Sequence, residues 1–178
     1  MVHVSSTNDQ NCKTPLVFLN KDGVKVTLNL GIRPYCKKLL HDLNKYYEVV
    51  IFTAASREYA NAVIKLLDPK KEIISAIMSR ENCFETKNGF LIKDLRVFSN
   101  RDLNNLIIVD NLAHSFGLQI NNGFPIITWT GDPEDKELMN LSDYLISAAF
   151  VDDVRKFNKE NLKLDRLVEE DISTLDIL

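Results

Sequence analysis

The sequence predicts an α/β sandwich with a mostly parallel sheet, on three observations. Short apolar runs without polar alternation recur at Val49–Phe52, Leu106–Val109 and Pro125–Trp129, the pattern of strands covered on both faces. Segments with helical periodicity separate them, and strands alternating with helices build parallel sheets. Two of the runs also end in polar residues, Thr53 on one and Asp110-Asn111 on the other. Open α/β sheets bind ligands beyond the carboxyl ends of their strands.

The elements follow in order. Leu16–Leu19 and Val24–Leu28 flank Asn20-Lys21-Asp22-Gly23, a turn sequence suited to a β-hairpin. Arg33-Pro34 opens a helix, with proline in the first turn and Cys36, Leu39, Leu40 and Leu43 at i, i+3, i+4, i+7. Val49–Thr53 reads as a buried strand. Ser56 is placed to cap the next helix, which turns Tyr59, Val63, Leu66 and Leu67 inward and stops at Asp68-Pro69. Ile73–Ile77 is a short strand, and a turn-rich stretch runs from there to about residue 100. Strands over Leu106–Val109 and Pro125–Trp129 come next. Gly131-Asp132-Pro133 then leads into a helix carrying Leu138, Leu141, Leu145 and Ala148. The end of the chain is read as an amphipathic helix with Leu162, Leu164, Leu167 and Val168. One domain over 1–170 and an acidic tail over 171–178 are expected, a size that one core can fill.

Composition narrows the function classes. The formal charge is −3, and from Val151 onward eight acidic face five basic residues, so the tail accounts for the imbalance. No basic stripe is interleaved with aromatics, which argues against direct nucleic-acid binding. No run approaches ~18 consecutive apolar residues, so no membrane span is expected in this chain, and the first ten residues lack a leader pattern. Cys12, Cys36 and Cys83 show no CxxC spacing. Reduced thiols in cytoplasm or nucleus are the expectation.

The polar strand ends suggest phosphate chemistry. A carboxylate beside an amide, Asp110-Asn111, can hold a hard cation such as Mg²⁺. The Thr53 hydroxyl can donate to a phosphate oxygen, and Lys93 can neutralise phosphoryl charge. Neither GxxxxGK[ST] nor GxGxxG occurs. In a receiver domain the phospho-accepting Asp precedes the Thr and the Lys comes last, whereas here the order is Thr53, Lys93, Asp110. That order is the haloacid-dehalogenase order without its first Asp.

Several segments carry a family likeness. Arg33-Pro34-Tyr35, the run from Val50 to Ala60 (VIFTAASREYA), Leu66-Leu67-Asp68-Pro69, Ser79-Arg80-Glu81-Asn82-Cys83, Lys93-Asp94-Leu95, Ile108-Val109-Asp110-Asn111 and Trp129-Thr130-Gly131-Asp132-Pro133 resemble small C-terminal-domain phosphatases and their Dullard-type branch. These are FCP-homology protein phosphatases of the haloacid dehalogenase superfamily. The resemblance runs from Met1 to about Leu167. It implies a Rossmannoid sandwich with the Leu16–Leu28 hairpin in the place of the substrate-binding flap. It implies that Thr53 and Ala54 bind the substrate phosphate, that Lys93 stabilises an aspartyl-phosphate, and that Asp110 and Asn111 serve Mg²⁺. The implied partner is a protein segment phosphorylated on serine or threonine, near proline in many members.

Two departures stand out. The family opens on Asp-x-Asp-x-Thr, whose first Asp attacks phosphorus and whose second moves the proton. The match here begins at Met1-Val2-His3, past that motif, and no Asp-x-Asp pair occurs anywhere in the 178 residues. The second departure is Asn111-Leu112-Ala113-His114 where Asn-Ser-Pro is usual. His114 is read as a loop histidine without a catalytic role.

The motif also sits on the central strand of this fold. Its absence is expected to leave a gap of ~9.6 Å between the strands ending in Thr53 and Asp110. Either an upstream segment fills it or Leu16–Leu19 moves inward. Three functions follow as expectations: a phosphoserine/phosphothreonine phosphatase whose nucleophile lies outside this chain, a pseudophosphatase that binds without turnover, or a non-functional fragment.

Overall fold

The computed structural model describes residues 2–5 and 12–164. The chain forms two compact units, residues 1–81 with 128–146, and residues 82–127 with 147–178.

The first unit begins with β1 (Val2–Ser5), β2 (Thr14–Leu19) and β3 (Lys25–Ile32), an antiparallel sheet in the order β1-β3-β2. The hairpin closes where expected, with Leu19 opposite Lys25. Asn20 shapes its turn by accepting the Asp22 and Val24 N–H groups on Oδ1, and Gly23 takes the left-handed conformation there, φ +75°. Leu16–Leu19 stays in this hairpin and pairs with β3 alone, so the inward move does not occur. The edge position suits Pro15, which has no N–H to give a ladder.

Helix α1 (Cys36–Leu43) buries the four expected residues, Cys36, Leu39, Leu40 and Leu43. It starts two residues after Pro34, because Tyr35 at its head is left-handed, φ +63°. The entry is pinned by Arg33, 2% exposed, whose Nε and Nη2 both meet the Asp135 carboxylate at 2.8 Å. This fork-to-carboxylate geometry is the strong form of the pair.

Strand β4 (Val49–Phe52) pairs in parallel with β5 (Ile74–Met78). Its residues are half-buried rather than covered on both faces. Between the two strands runs α2 (Arg57–Leu67), capped by Ser56, whose hydroxyl accepts the Tyr59 N–H. Ala60, Val63 and Leu67 are buried, while Tyr59 and Leu66 are half-buried. Asp68 both ends the helix and shapes the loop that follows, where its carboxylate collects the N–H groups of Glu72, Ile73 and Ile74 at 2.9–3.0 Å. Helix α3 (Glu137–Ala148) buries Leu138, Leu141, Leu145 and Ala148 as the spacing required.

The second unit contains a short antiparallel pair, β6 (Phe84–Glu85) and β7 (Leu91–Ile92), inside the stretch read as turns. Strand β8 (Ile108–Asp110) pairs in parallel with β9 (Gly123–Pro125). Two expectations are corrected here. The strand expected over Leu106–Val109 begins only at Ile108. The one expected over Pro125–Trp129 begins two residues earlier, ends at Pro125 and leaves Ile127 69% exposed. The reason is the partner: β8 offers three residues, matched as Ile108 to Gly123, Val109 to Phe124 and Asp110 to Pro125. Leu95, Ile108, Phe116 and Leu164 form the buried core, with Phe98, Leu103, Leu106, Ile120 and Leu162 around it. Helix α4 (Val154–Leu162) closes on this unit through Asn158, whose Nδ2 donates to the Asn121 and Gly123 carbonyls. Leu167 and Val168 lie outside the described residues.

Among the described residues, β5 is the one strand paired with β4 and β9 the one paired with β8. None of the described helices is long and apolar enough to cross a membrane.

Candidate functional site

The expected site residues divide between the units. Thr53 and Ala54 belong to the first; Lys93, Asp110 and Asn111 belong to the second.

In the first unit, β4 runs out into the turn Thr53–Ser56. The Thr53 N–H continues the parallel ladder to the Met78 carbonyl at 2.9 Å, which fixes the residue at the strand tip. Its Oγ1 accepts the Ala55 N–H at 3.1 Å, so the hydroxyl shapes its own loop. Arg80 holds the same loop from outside: its N–H donates to the Ala55 carbonyl at 3.0 Å and its Nε to the Ala54 carbonyl at 2.8 Å. Two donors from one residue on two successive carbonyls orient the peptide planes of the loop. Arg57 in turn bridges to Glu81 and to the Ile77 carbonyl.

In the second unit, the structure brings Lys93 and Asp110 together. Lys93 Nζ is paired with Asp110 Oδ2, and the residues are 8% and 9% exposed. The sequence separates them by 17 positions, and three features bring them into contact. Asp110 is the last residue of β8 and stands at its carboxyl end. Its Oδ1 accepts the Leu112 N–H at 2.8 Å, closing an Asx-type turn. Lys93 follows β7, and its N–H donates to the Ser115 carbonyl at 2.6 Å. The neighbouring Asp94 carboxyl is held below the usual carboxylate range by hydrogen bonding from the Arg96 guanidinium, and it also receives Gln119 Nε2. Asn111 is exposed.

The chemistry of this pair is that of a cation stored in a neutralised state. A lysine ammonium carries three donors, one of which meets Asp110 here.

An Mg²⁺ ion fits these residues poorly. It prefers six oxygens, from one or two carboxylates together with phosphate and water. Asp110 is the one carboxylate of the implied set, and both its oxygens are engaged. Among the described residues no three His, Cys, Asp or Glu side chains cluster as metal ligands. No step is therefore assigned to a metal.

Two contributors carry no role in the sequence reading. Arg80 lies in the Ser79–Cys83 motif but has no chemistry of its own there; its work on the Ala54 and Ala55 carbonyls depends on β4 and β5 ending side by side. Ser115 holds Lys93 through its main-chain carbonyl, which no residue type announces.

Comparison with known proteins bears on the fold and the family. Fission yeast RNA polymerase II CTD phosphatase Fcp1, bound to beryllium fluoride, superposes with a TM-score of 0.59 at 16% identity, over 98% of this chain and 54% of that one. A second Fcp1 structure gives the same score over 83% of the chain. The fold is thus of the haloacid-dehalogenase type. The family model of NLI interacting factor-like phosphatases matches residues 1–155, and the chain belongs to that family. CTD small phosphatase-like protein 2 of Dictyostelium discoideum is 38% identical over 171 residues, 96% of this chain and 29% of that protein. CTD nuclear envelope phosphatase 1B of Danio rerio is 36% identical, over 76% of this chain and 54% of its own length. Nuclear envelope morphology protein 1 of Saccharomyces cerevisiae is 31% identical, over 75% and 32%. The chain spans about half or less of the length of these relatives.

Proposed function

We propose that this chain forms the phosphate- and substrate-binding part of a phosphoserine/phosphothreonine protein phosphatase, and that residues 1–178 by themselves bind a phosphorylated segment without hydrolysing it. The observation that carries the reading is the buried Lys93–Asp110 pair at the carboxyl end of β8, in a chain of the phosphatase family. The family likeness supports the roles, taken unit by unit. In the second unit Lys93 shares its ammonium with a phosphate and Asp110 keeps Lys93 in place; in the first, the Arg80-held loop of Thr53 and Ala54 is a separate candidate for phosphate contact.

The turnover half of the reading rests on composition. Hydrolysis through an aspartyl-phosphate needs a nucleophilic carboxylate and a second acid to protonate the leaving alkoxide. The 178 residues contain no Asp-x-Asp pair to supply both. The three cysteines fit a reducing compartment, cytoplasm or nucleus. The replacement of Asn-Ser-Pro by Asn111-Leu112-Ala113-His114 favours a second reading, a binding module that has left catalysis altogether.

Calorimetry of inorganic phosphate, with and without Mg²⁺, tests the site. Binding is expected in the absence of the metal, with little gain on adding it, and Lys93→Ala abolishes it. If no phosphate binds, the site reading fails. Mg²⁺-dependent hydrolysis of p-nitrophenyl phosphate by purified 1–178 is the result that sinks the proposed lack of turnover.

A further inference from the structure

The stretch of chain that carries Lys93 is tied at three points to the 3₁₀-helical segment Ala113–Asn122. The Lys93 N–H donates to the Ser115 carbonyl at 2.6 Å. Two positions on, the Leu95 N–H donates to Gln119 Oε1 at 3.0 Å. Between them the Asp94 carboxylate receives Gln119 Nε2, also at 3.0 Å. One half-buried side-chain amide thus supplies two of the three ties, with its acceptor and its donor both used.

The packing explains why a side chain is needed there. Leu95 is 4% exposed and sits in the core with Phe116, so its N–H must find an acceptor inside the protein. The facing segment leaves helical form at Phe116 and again at Gln119, with φ −121° and −134°. Ser115, before that break, still offers its carbonyl to Lys93. Beyond it, the Leu95 N–H meets the Gln119 side chain in place of a main-chain carbonyl. The Arg96 guanidinium also grips Asp94 and fixes the carboxylate to which Gln119 donates.

We infer that Gln119 is a positioning residue for Lys93: by holding Asp94 and Leu95 to the Ala113–Asn122 segment, it sets where the Lys93 ammonium stands when a phosphate occupies the site. The inference rests on the phosphate-site reading above and adds to it what fixes the cation. Lys93 is anchored at its tip by Asp110, and its backbone is anchored by Ser115 directly and by Gln119 through its neighbours. On that reading a phosphate takes a share of the ammonium and loosens the tip, so the backbone ties then decide how far the ammonium reaches. Planar peptides join residues 93 to 95, and a Leu95 freed from its acceptor carries Lys93 with it.

The test is calorimetry of inorganic phosphate with the whole chain, each variant first shown to be folded by circular dichroism. Gln119→Met keeps the length of the side chain and removes both hydrogen bonds. Gln119→Glu keeps an acceptor for Leu95 and sets a carboxylate against Asp94. Each is expected to weaken phosphate binding about three- to tenfold, the worth of one lost hydrogen bond. Asp94→Asn combined with Gln119→Glu re-forms the bond between positions 94 and 119 with donor and acceptor exchanged, and is expected to bind within about twofold of the wild type. A purely structural residue lowers the melting temperature and leaves the affinity of the folded variant alone, so unchanged affinity in folded Gln119→Met overturns the inference. So does an exchanged pair that binds no better than Gln119→Glu by itself. Where the single variants do not fold, NMR of the wild type decides. The Gln119 side-chain amide signals are expected to shift along the same phosphate titration as the Lys93 N–H, and signals that stay still while Lys93 moves overturn the inference. Failure of the wild type to bind inorganic phosphate marks instead the failure of the phosphate-site reading, and this inference falls with it.

Discussion

Replacing Lys93 by methionine keeps the length of the side chain and removes its charge, leaving the Asp110 carboxylate 9% exposed with one partner lost. Breaking a buried pair from one side costs about 3–5 kcal/mol, because the remaining charge is uncompensated. Asp110 Oδ1 still accepts the Leu112 N–H, which puts the loss near ~3 kcal/mol, the lower end of that range. Asp110→Asn strands the ammonium instead and costs a similar ~3 kcal/mol, since an asparagine Oδ1 can still close the turn to Leu112. The double variant buries no unpaired charge, so its loss is expected to be ~2 kcal/mol or less. The coupling energy is then about 4 kcal/mol, far above the few tenths expected of independent sites. Urea unfolding followed by circular dichroism measures it: at ~2 kcal/mol/M, each single variant moves the midpoint by about 1.5 M and the double by about 1 M or less. Losses that add, within ~0.5 kcal/mol, refute the claim that Lys93 and Asp110 act as one buried unit.

Two further outcomes follow from the packing. A Cβ on Gly123 runs into the ring of Phe116, which is wholly buried, so Gly123→Ala is expected to lose ~1–3 kcal/mol. Gly117→Ala, with open space around it, stays within ~0.5 kcal/mol; equal melting temperatures for the two variants contradict the packing described. Asp68 gives a pH dependence. Hydrogen bonds from the Ile74, Ile73 and Glu72 N–H groups hold its carboxyl below the usual range. Its folded pKa is thus lower than the unfolded value of about 3.9, so its contribution is complete well above that pH and is lost as pH falls through the folded pKa. Asp68→Asn is expected to be less stable at pH 7 and to lose less on acidification; urea midpoints between pH 7 and pH 3 that fall in parallel for both proteins exclude that role.

What the sequence by itself determined is local or ordered along the chain. Asn20 to Gly23 carries its own turn chemistry, Ser56 its own cap, and the leucines of α1 and α3 their own faces, each through neighbours within a few residues. The order Thr53, Lys93, Asp110 is likewise a property of the chain, and with the motif segments around it carried the likeness to the family. The tertiary structure decided what depends on partners far away in sequence. The apolar run Pro125–Trp129 looks like a strand from within, yet the three residues of β8 set where pairing starts and stops, so β9 is Gly123–Pro125. The pairing of Phe84 with Ile92 depends on Gly89 turning the chain back, and the exposure of Phe90 is settled by what fails to cover it. Nothing local in the sequence marks Lys93 for burial. It is buried where the Ser115 carbonyl holds its backbone and the Asp110 carboxylate pairs with its side chain, since a buried charged group needs such a partner.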